Sequence, residues 1–198
     1  MRLLIMGPPG AGKGTQSKRI SEHYGIPAIS TGDIFRSEVR AKSPLGLEVQ
    51  RILDSGGYVG DDITNRIVAQ RLAQPDTGGG FLLDGYPRTL PQVDALDKML
   101  SEHGRSLDAV IALEADVDEL VQRLLKRGET EGRSDDTEEA IRIRQQKYLD
   151  ETEPLLHGYG ERGLLVRVNG LGSIDEVSER IFDALAAVQT RPEPDAVP

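Results

Sequence analysis

The sequence predicts an α/β fold in which helices cover both faces of a parallel sheet. Short apolar runs typical of buried strands alternate with stretches of helical period along the 198 residues. A glycine-rich turn follows the first apolar run and leads into a helical pattern. The composition, 37% apolar and 29% charged, is typical of globular proteins. We therefore expect one domain over residues 1–188, followed by a disordered, proline-containing tail over residues 189–198.

Four apolar runs are the predicted strands. The first is Arg2–Met6, and the others cover residues 81–83, 109–113 and 164–168. Each run is short and continuously apolar, which is typical of a parallel strand buried on both faces. Because helical patterns lie between them, we expect the runs to pair in parallel.

Apolar residues recur at helical spacing in the intervening stretches. A helix is predicted over Lys13–Tyr24, and further helices are predicted around residues 45–53, 63–68, 93–100 and 174–185.

Two stretches depart from simple alternation. About 75 residues separate the first two predicted strands, which is more than a crossover needs. We therefore expect a small helical excursion over residues 30–60. Residues 128–136 lie between two helical patterns, have a glycine near each end and are too polar to pack, so they are predicted to form a mobile flap.

Composition excludes several classes of function. The net charge of −9 argues against nucleic acid or an anionic membrane surface as a partner. The absence of cysteine excludes disulfides, a thiol nucleophile and a cysteine-based zinc site. No apolar run approaches the ~18 residues of a membrane span, and the first run is interrupted too early for a signal peptide. We expect a soluble cytoplasmic protein.

Residues 7–15, GPPGAGKGT, fit the G-x-x-x-x-G-K part of the phosphate-loop pattern between a strand and a helix. Backbone N–H groups at a helix N-terminus converge on an anion, and Lys13 would neutralise the β and γ oxygens. Proline has no N–H, so the donors are expected over residues 10–15. Gly14 follows Lys13 where the pattern has Ser or Thr, and the hydroxyl comes at Thr15. A direct contact between Thr15 and Mg²⁺ is therefore left open.

Five motifs, taken in order, resemble the adenylate kinase family of nucleoside monophosphate kinases. They are residues 7–15, Ser30-Thr31-Gly32-Asp33 with Arg36, Gly57-Tyr58-Val59, Asp84-Gly85-Tyr86-Pro87-Arg88 with Gln92, and Arg133-Ser134-Asp135-Asp136 with Arg144. Each motif alone is weak, but all five in the family's order and spacing are specific. The resemblance implies a P-loop NTPase-type core of five parallel strands. It also implies phosphoryl transfer between ATP·Mg²⁺ and AMP that gives two ADP.

The resemblance assigns the remaining segments as well. Residues 30–60 would be the monophosphate-binding module and residues 127–137 a short lid. This lid lacks the inserted segment that carries zinc in some members, and cysteine is absent, so no structural zinc is expected. The implied partners are ATP, AMP and ADP, and a monomer is expected.

Charge balance explains why arginine matters more than histidine in such a site. The phosphates of ATP carry roughly −4 and that of AMP roughly −2 at neutral pH. A closed site must offset this charge and stabilise the equatorial oxygens of the transferring group, whereas the attacking AMP oxygen is already anionic and needs no general base.

The resemblance implies specific roles for individual residues. The catalytic cations are Lys13, Arg88, Arg123, Arg133 and Arg144. The ATP-binding residues are Gly10, Ala11, Gly12, Lys13, Gly14, Thr15, Arg123, Arg127 and Gly172. The AMP-binding residues are Thr31, Gly32, Arg36, Gly57, Tyr58, Val59, Gly85, Tyr86, Pro87, Arg88, Gln92, Arg133 and Arg144. Asp84 would organise Mg²⁺ through water, and the Tyr86–Pro87 bond is expected to be cis.

Several of these residues keep a second interpretation. Arg127 is also consistent with charge complementation of a helix that ends before Gly128. Helical periodicity does not choose between Arg142 and Arg144, although the family spacing selects Arg144. Gly172 is also consistent with an ordinary turn glycine that precedes a helix.

Two other functions share parts of this pattern. A pyrimidine nucleoside monophosphate kinase shares the fold, the phosphate loop and the short lid. Similar proteins of that type lack the threonine present here at Thr31 and have asparagine-rich sequence where residues 89–92 stand. A nucleotide switch without transferase chemistry would usually carry an N-K-x-D guanine-reading motif, which this sequence lacks.

Overall fold

The computed structural model describes residues 1–115, 117–131, 133 and 135–190, and this part of the chain forms a five-stranded parallel sheet flanked by helices. The strand order is β2-β3-β1-β4-β5, and every pair is parallel. The strands are β1 (Arg2–Met6), β2 (Ala28–Ser30), β3 (Phe81–Asp84), β4 (Ala109–Glu114) and β5 (Leu165–Asn169). The predicted α/β class and the five-stranded core are confirmed.

The helices of the described residues lie on both faces and around one end of the sheet. They are α1 (Lys13–Tyr24), α2 (Thr31–Arg40), α3 (Pro44–Asp54), α4 (Asp61–Leu72), α5 (Leu90–Ser101), α6 (Val117–Glu131), α7 (Glu138–Lys147), α8 (Leu155–Glu161) and α9 (Ile174–Gln189). A 3₁₀ turn covers Pro75–Thr77, and a π-helical turn covers Tyr148–Thr152 between α7 and α8.

The central strand β1 is buried on both sides. Leu3 and Ile5 face a layer that contains α1 and α9, whereas Leu4 and Met6 face the opposite layer with α5 and α8. Leu3, Leu4 and Ile5 are at most 1% exposed. This double burial explains why the strand is continuously apolar, and it fixes the position of the loop that follows Met6.

The strand β2 was not found from the apolar pattern. It has three residues, and only Ile29 is buried. Its position is set by pairing with β3, where Ile29 lies opposite Leu83. Such a short edge strand carries no local period, so the resemblance alone pointed to a fifth strand.

The helices α2 and α3 fill the stretch for which a helical excursion was predicted. Phe35, Val49 and Val59 form a small core of their own there. The two helices approach closely at Gly46, where an added Cβ would lie 2.1 Å from the carbonyl oxygen of Glu38. This contact makes glycine necessary at that position.

The flap prediction for residues 128–136 was wrong in two respects. Helix α6 continues to Glu131, so the first part of this stretch is helical and Arg127 does not end the helix. Asp135 and Asp136 are only 8% and 5% exposed, although the stretch was judged too polar to pack. Both carboxylates are buried because arginine side chains neutralise them. Residues 132 and 134 of the predicted flap lie outside the described residues.

The end of the chain differs slightly from expectation. Helix α9 includes Gln189, the first residue of the predicted tail, while residues 191–198 lie outside the described residues. In the part of the chain that is described, no helix has the length and apolarity needed to cross a membrane.

Candidate active site

A cleft of about 640 Å³ opens at the carboxyl ends of β1 and β3. Ligands of open α/β sheets bind at this edge, near the point where the strand order reverses. Seven cationic side chains and three carboxylates from the described residues line it, although the whole chain carries a net charge of −9. The cationic residues are Lys13, Arg36, Arg88, Arg123, Arg127, Arg133 and Arg144. The cleft therefore suits a highly anionic ligand.

The loop between β1 and α1 wraps around one end of the cleft. Gly10 and Gly12 have φ values of +89° and +88°, which favour glycine. Gly10 also packs against helix α6, since an added Cβ would lie 3.0 Å from the carbonyl oxygen of Leu120. The N-cap of α1 is Gly12, which has no side chain to accept from the first N–H groups of the helix. Those N–H groups remain available to an anion in the cleft.

Lys13 folds back over this loop. Its Nζ donates hydrogen bonds to the carbonyl oxygens of Gly7 at 2.7 Å and Pro8 at 3.0 Å. Burial lowers the pKa of Lys13 to about 8, and the nearby arginines act in the same direction, whereas Asp84 opposes the shift. The lysine is thus poised to gain stabilisation from an incoming phosphate.

Asp84 ends β3 and points into the same part of the cleft. Burial raises the pKa of its carboxyl group, while Lys13 and Arg88 partly offset that shift. Its carboxylate accepts no hydrogen bond from the residues that the structure describes. A partly buried carboxylate that accepts no hydrogen bond has oxygens left for a divalent cation, and Mg²⁺ is commonly bound by one carboxylate together with substrate phosphates.

Arg88 is held on several sides at the end of β3. Its Nε donates to the carbonyl oxygen of Gly85 at 2.8 Å, and its guanidinium lies 4.7 Å from the ring centroid of Tyr58. Its backbone N–H donates to Oε1 of Gln92, and its carbonyl oxygen accepts from the hydroxyl of Thr152. The peptide bond between Tyr86 and Pro87 is cis, as expected. These contacts place a cation at a defined point of the cleft.

A smaller cavity of about 70 Å³ adjoins the cleft beside α2 and α4. Thr31, Gly57, Val59 and Gln92 are among the residues that line it. The Thr31 hydroxyl donates to the carbonyl oxygen of Gly85 at 2.9 Å. This cavity therefore offers polar groups suited to a small planar ligand next to the cationic cleft.

Two buried aspartates hold arginines on the far side of the cleft. Asp136 accepts hydrogen bonds from Nε of Arg127 at 2.7 Å and from Arg144. Arg144 donates a second hydrogen bond, to Asp135 at 3.0 Å. The two guanidinium groups keep the pKa of Asp136 below its usual value, although its burial acts in the opposite direction. Asp135 also lies 3.8 Å from Arg36, which joins this side of the cleft to α2.

The structure distinguishes Arg144 from Arg142. The side chain of Arg144 is 13% exposed and lines the cleft, whereas that of Arg142 is 69% exposed and pairs with Glu138 one turn away. Arg144, which the family spacing selected, is therefore the one available to a ligand.

All the residues predicted from the sequence as site residues line the cleft or the smaller cavity. Arg123 and Arg127 line it from α6, and Arg133 lines it while donating to Glu131. Gly172 has a φ of +114°, and an added Cβ would lie 2.7 Å from the carboxylate of Glu176. What each residue binds stays a prediction.

Among the residues at or beside the site that were not predicted, three make contacts that matter for its geometry. Thr152 donates to the carbonyl oxygen of Arg88, Asp61 accepts from Gln92, and Lys147 lies 5.4 Å from the ring of Tyr58. Thr152 lies in the π-helical turn, a geometry that is often found at functional sites, but no sequence pattern indicated it.

Comparison with known proteins agrees with this geometry. A family model described as adenylate kinase matches residues 5–164. The chain belongs to the adenylate kinase family. Proteins named adenylate kinase from Nocardioides sp. and Clavibacter michiganensis subsp. michiganensis are each 57% identical to it, over 95% and 98% of this chain and 98% of each relative. One from Leifsonia xyli subsp. xyli is 60% identical over 93% of this chain and 92% of the relative.

Membership of the adenylate kinase family makes the protein an enzyme, a nucleotide-binding kinase of nucleotide biosynthesis. The phosphate loop, the cationic cleft and the adjoining polar cavity are compatible with this chemistry.

Proposed function

We propose that the protein transfers the γ-phosphoryl group of ATP, bound with Mg²⁺, to the phosphate of AMP and so gives two ADP. The convergence of seven cationic side chains on one cleft carries the proposal, because the two substrates together bring roughly six negative charges. Family membership supports the same reaction and does not favour a pyrimidine nucleoside monophosphate kinase.

In this proposal ATP lies along the phosphate loop. Its β and γ oxygens accept hydrogen bonds from the free N–H groups at the start of α1 and from the ammonium of Lys13. Lys13 then exchanges its hydrogen bonds to the loop carbonyls for hydrogen bonds to phosphate. Arg123 and Arg127 bind from α6, and the backbone at Gly172 lies against the base. Asp84 would hold Mg²⁺, which supplies charge neutralisation to the ATP phosphates when bound.

AMP lies in the smaller cavity with its phosphate directed toward Arg88. Thr31 and Gln92 contact the base, the backbone of residues 57–59 lines the pocket, and Arg36 and Arg88 bind the phosphate. The phosphate oxygen of AMP is already anionic, so the chain need not supply a base. Its contribution is to align donor and acceptor and to stabilise the charge on the transferring group.

The segment assignments follow from these positions. Residues 30–60 serve as the monophosphate-binding module, residues 127–137 as a short lid, and residues 1–188 as a single functional domain. Arg133 and Arg144 approach the transferring phosphate from the lid side, where substrate oxygens replace some of the carboxylates that now hold them. Exclusion of water by the lid protects the phosphoryl group from hydrolysis.

We further propose that the protein works as a monomer in the cytoplasm, where both nucleotides are available. The convergence of seven cationic side chains of one chain on the cleft supports a monomeric enzyme. Size-exclusion chromatography with light scattering is expected to give one species near 21.6 kDa. A stable dimer at micromolar concentration would contradict this point alone.

The reaction is tested by offering AMP, CMP, UMP and GMP in turn with MgATP and measuring ADP formation in a coupled assay. AMP is expected to give the highest kcat/KM. A tenfold preference for CMP or UMP would indicate a pyrimidine kinase instead. If ATP binds but no monophosphate yields ADP, the protein would be a binding module without transferase chemistry.

A further inference from the structure

The side-chain amide of Gln92 is held at both ends. Gln92 is 2% exposed, and its Oε1 accepts a hydrogen bond from the backbone N–H of Arg88 at 2.8 Å. Its Nε2 donates to Oδ1 of Asp61 at 2.7 Å. A backbone N–H can only donate, and an ionised carboxylate can only accept. The two partners therefore permit one orientation of the amide, with the oxygen toward Arg88 and the nitrogen toward Asp61.

Asp61 is itself well placed to act as this anchor. It lies in the first turn of α4, where the helix N-terminus favours a carboxylate. The same Oδ1 also accepts from the hydroxyl of Thr89 at 3.1 Å, and Thr89 is the N-cap of α5. Asp61 thus connects the start of α4 to the start of α5, the helix that carries Gln92.

The anchored amide determines which polar group faces the smaller cavity. Gln92 lines that cavity, and within the described ranges its second Nε2–H has no acceptor. That N–H remains as a donor. Thr31 has already given its hydroxyl proton to the carbonyl oxygen of Gly85, so its oxygen remains as an acceptor. The cavity presents a donor and an acceptor together.

This pair of groups complements one class of purine. A 6-aminopurine such as adenine has a ring nitrogen that accepts and an amino group that donates. A 6-oxopurine such as hypoxanthine has the opposite pattern, with a ring N–H that donates and an oxygen that accepts. A mismatched base leaves buried polar groups unpaired, which is the strongest basis for discrimination between similar ligands.

We propose that Asp61 is a specificity-determining positioning residue, which selects 6-aminopurine over 6-oxopurine monophosphates by fixing the orientation of the Gln92 amide. The proposal rests on the function proposed above. Without the carboxylate, the amide keeps one of its two anchors. It can then rotate to offer its oxygen to a 6-oxopurine at a smaller cost.

The test compares kcat/KM for AMP and for IMP at saturating MgATP. Asp61→Ala is expected to lower the AMP-to-IMP ratio at least tenfold, since a hydrogen bond to a charged group is lost. Asp61→Asn keeps the shape and an acceptor oxygen without the charge, and it should lower the ratio about threefold. The matched controls are Asp62→Ala and Asp62→Asn. Asp62 is exposed in the same helical turn, so these variants lose the same charge and should leave the ratio within about twofold of the wild type.

The ratio distinguishes positioning from a merely structural role. A structural role would lower kcat/KM for both monophosphates by the same factor, together with the melting temperature, and this result would overturn the proposal. If Asp61→Ala does not fold, a ratio for Asp61→Asn equal to that of Asp62→Asn would overturn it as well. Failure of the wild type to phosphorylate AMP would instead refute the proposed function, so the two failures are separable.

Discussion

Tyr58 offers a direct test of how Arg88, the arginine proposed to bind the AMP phosphate, is held. Its ring centroid lies 4.7 Å from the guanidinium carbon of Arg88. Its hydroxyl lies 3.2 Å from Oγ1 of Thr152, which donates its only proton to the carbonyl oxygen of Arg88. The Tyr58 hydroxyl must therefore be the donor of that pair. The Tyr58 ring contacts the side chain of Arg88 directly, whereas the Tyr58 hydroxyl acts on the backbone of Arg88 through Thr152.

The two contributions can be estimated separately. A hydrogen bond between hydroxyls contributes about 1 kcal/mol, and a partly exposed cation–π contact contributes about the same. Because 1.36 kcal/mol corresponds to tenfold, Tyr58→Phe is expected to lower kcat/KM for AMP about fivefold. Tyr58→Leu removes both contacts and should lower it about 30-fold. The KM for ATP should change less than about twofold in either variant, because the phosphate loop does not depend on Tyr58.

Initial rates with each nucleotide varied at saturation of the other provide the measurement. Thr152→Val removes the acceptor of the Tyr58 hydroxyl, so adding Tyr58→Phe to this variant should lower kcat/KM for AMP little further. Thr152→Ser keeps the hydroxyl and serves as the control. Equal losses in Tyr58→Phe and Tyr58→Leu would refute the role of the ring. A rise in the KM for ATP as large as that for AMP would refute the whole argument.

Three further results are expected. Because burial lowers the pKa of Lys13 to about 8, kcat/KM for ATP should fall about tenfold per pH unit above pH 8. The value of kcat at saturation should persist to higher pH, since bound phosphate favours the charged lysine. Identical pH profiles for kcat/KM and kcat would contradict this expectation. Gly46→Ala places a Cβ 2.1 Å from the carbonyl oxygen of Glu38, and it should lower the melting temperature measured by circular dichroism by about 4–10 °C; an unchanged value would refute the close approach. Asp136→Asn should lower the free energy of unfolding in urea by roughly 3 kcal/mol at pH 7. Since the folded pKa of Asp136 is lowered, this difference should shrink as pH falls through that pKa, and a difference independent of pH would contradict it.

Elements with local determinants were predictable from the sequence. Helix α1 has the predicted bounds because Gly12 and Gly25 take left-handed conformations at its two ends. The strand β1 was found because burial on both faces requires an unbroken apolar run. The phosphate loop was found because its glycines and lysine are adjacent in sequence. In each case the physical cause lies within a few residues of the element.

Features determined by distant residues were not predictable in this way. The strand β2 depends on its register with β3. The burial of Asp136 depends on Arg127 and Arg144, which lie nine residues before it and eight residues after it on the flanking helices α6 and α7. Polar residues were assumed to face water, whereas here guanidinium groups replace it. Thr152 was missed for the same reason, since its partner Arg88 lies 64 residues away.

The carbonyl oxygen of Gly85 accepts from Thr31 in the smaller cavity and from Nε of Arg88 in the cleft. One peptide oxygen thus holds both Thr31, which is proposed to contact the base, and Arg88, which is proposed to bind the phosphate. Because both side chains donate to this one oxygen, neither moves independently of the other while the two hydrogen bonds are kept. In the proposed reaction this arrangement would favour a nucleoside monophosphate as acceptor, since a nucleoside without a phosphate would reach only one of the two contacts.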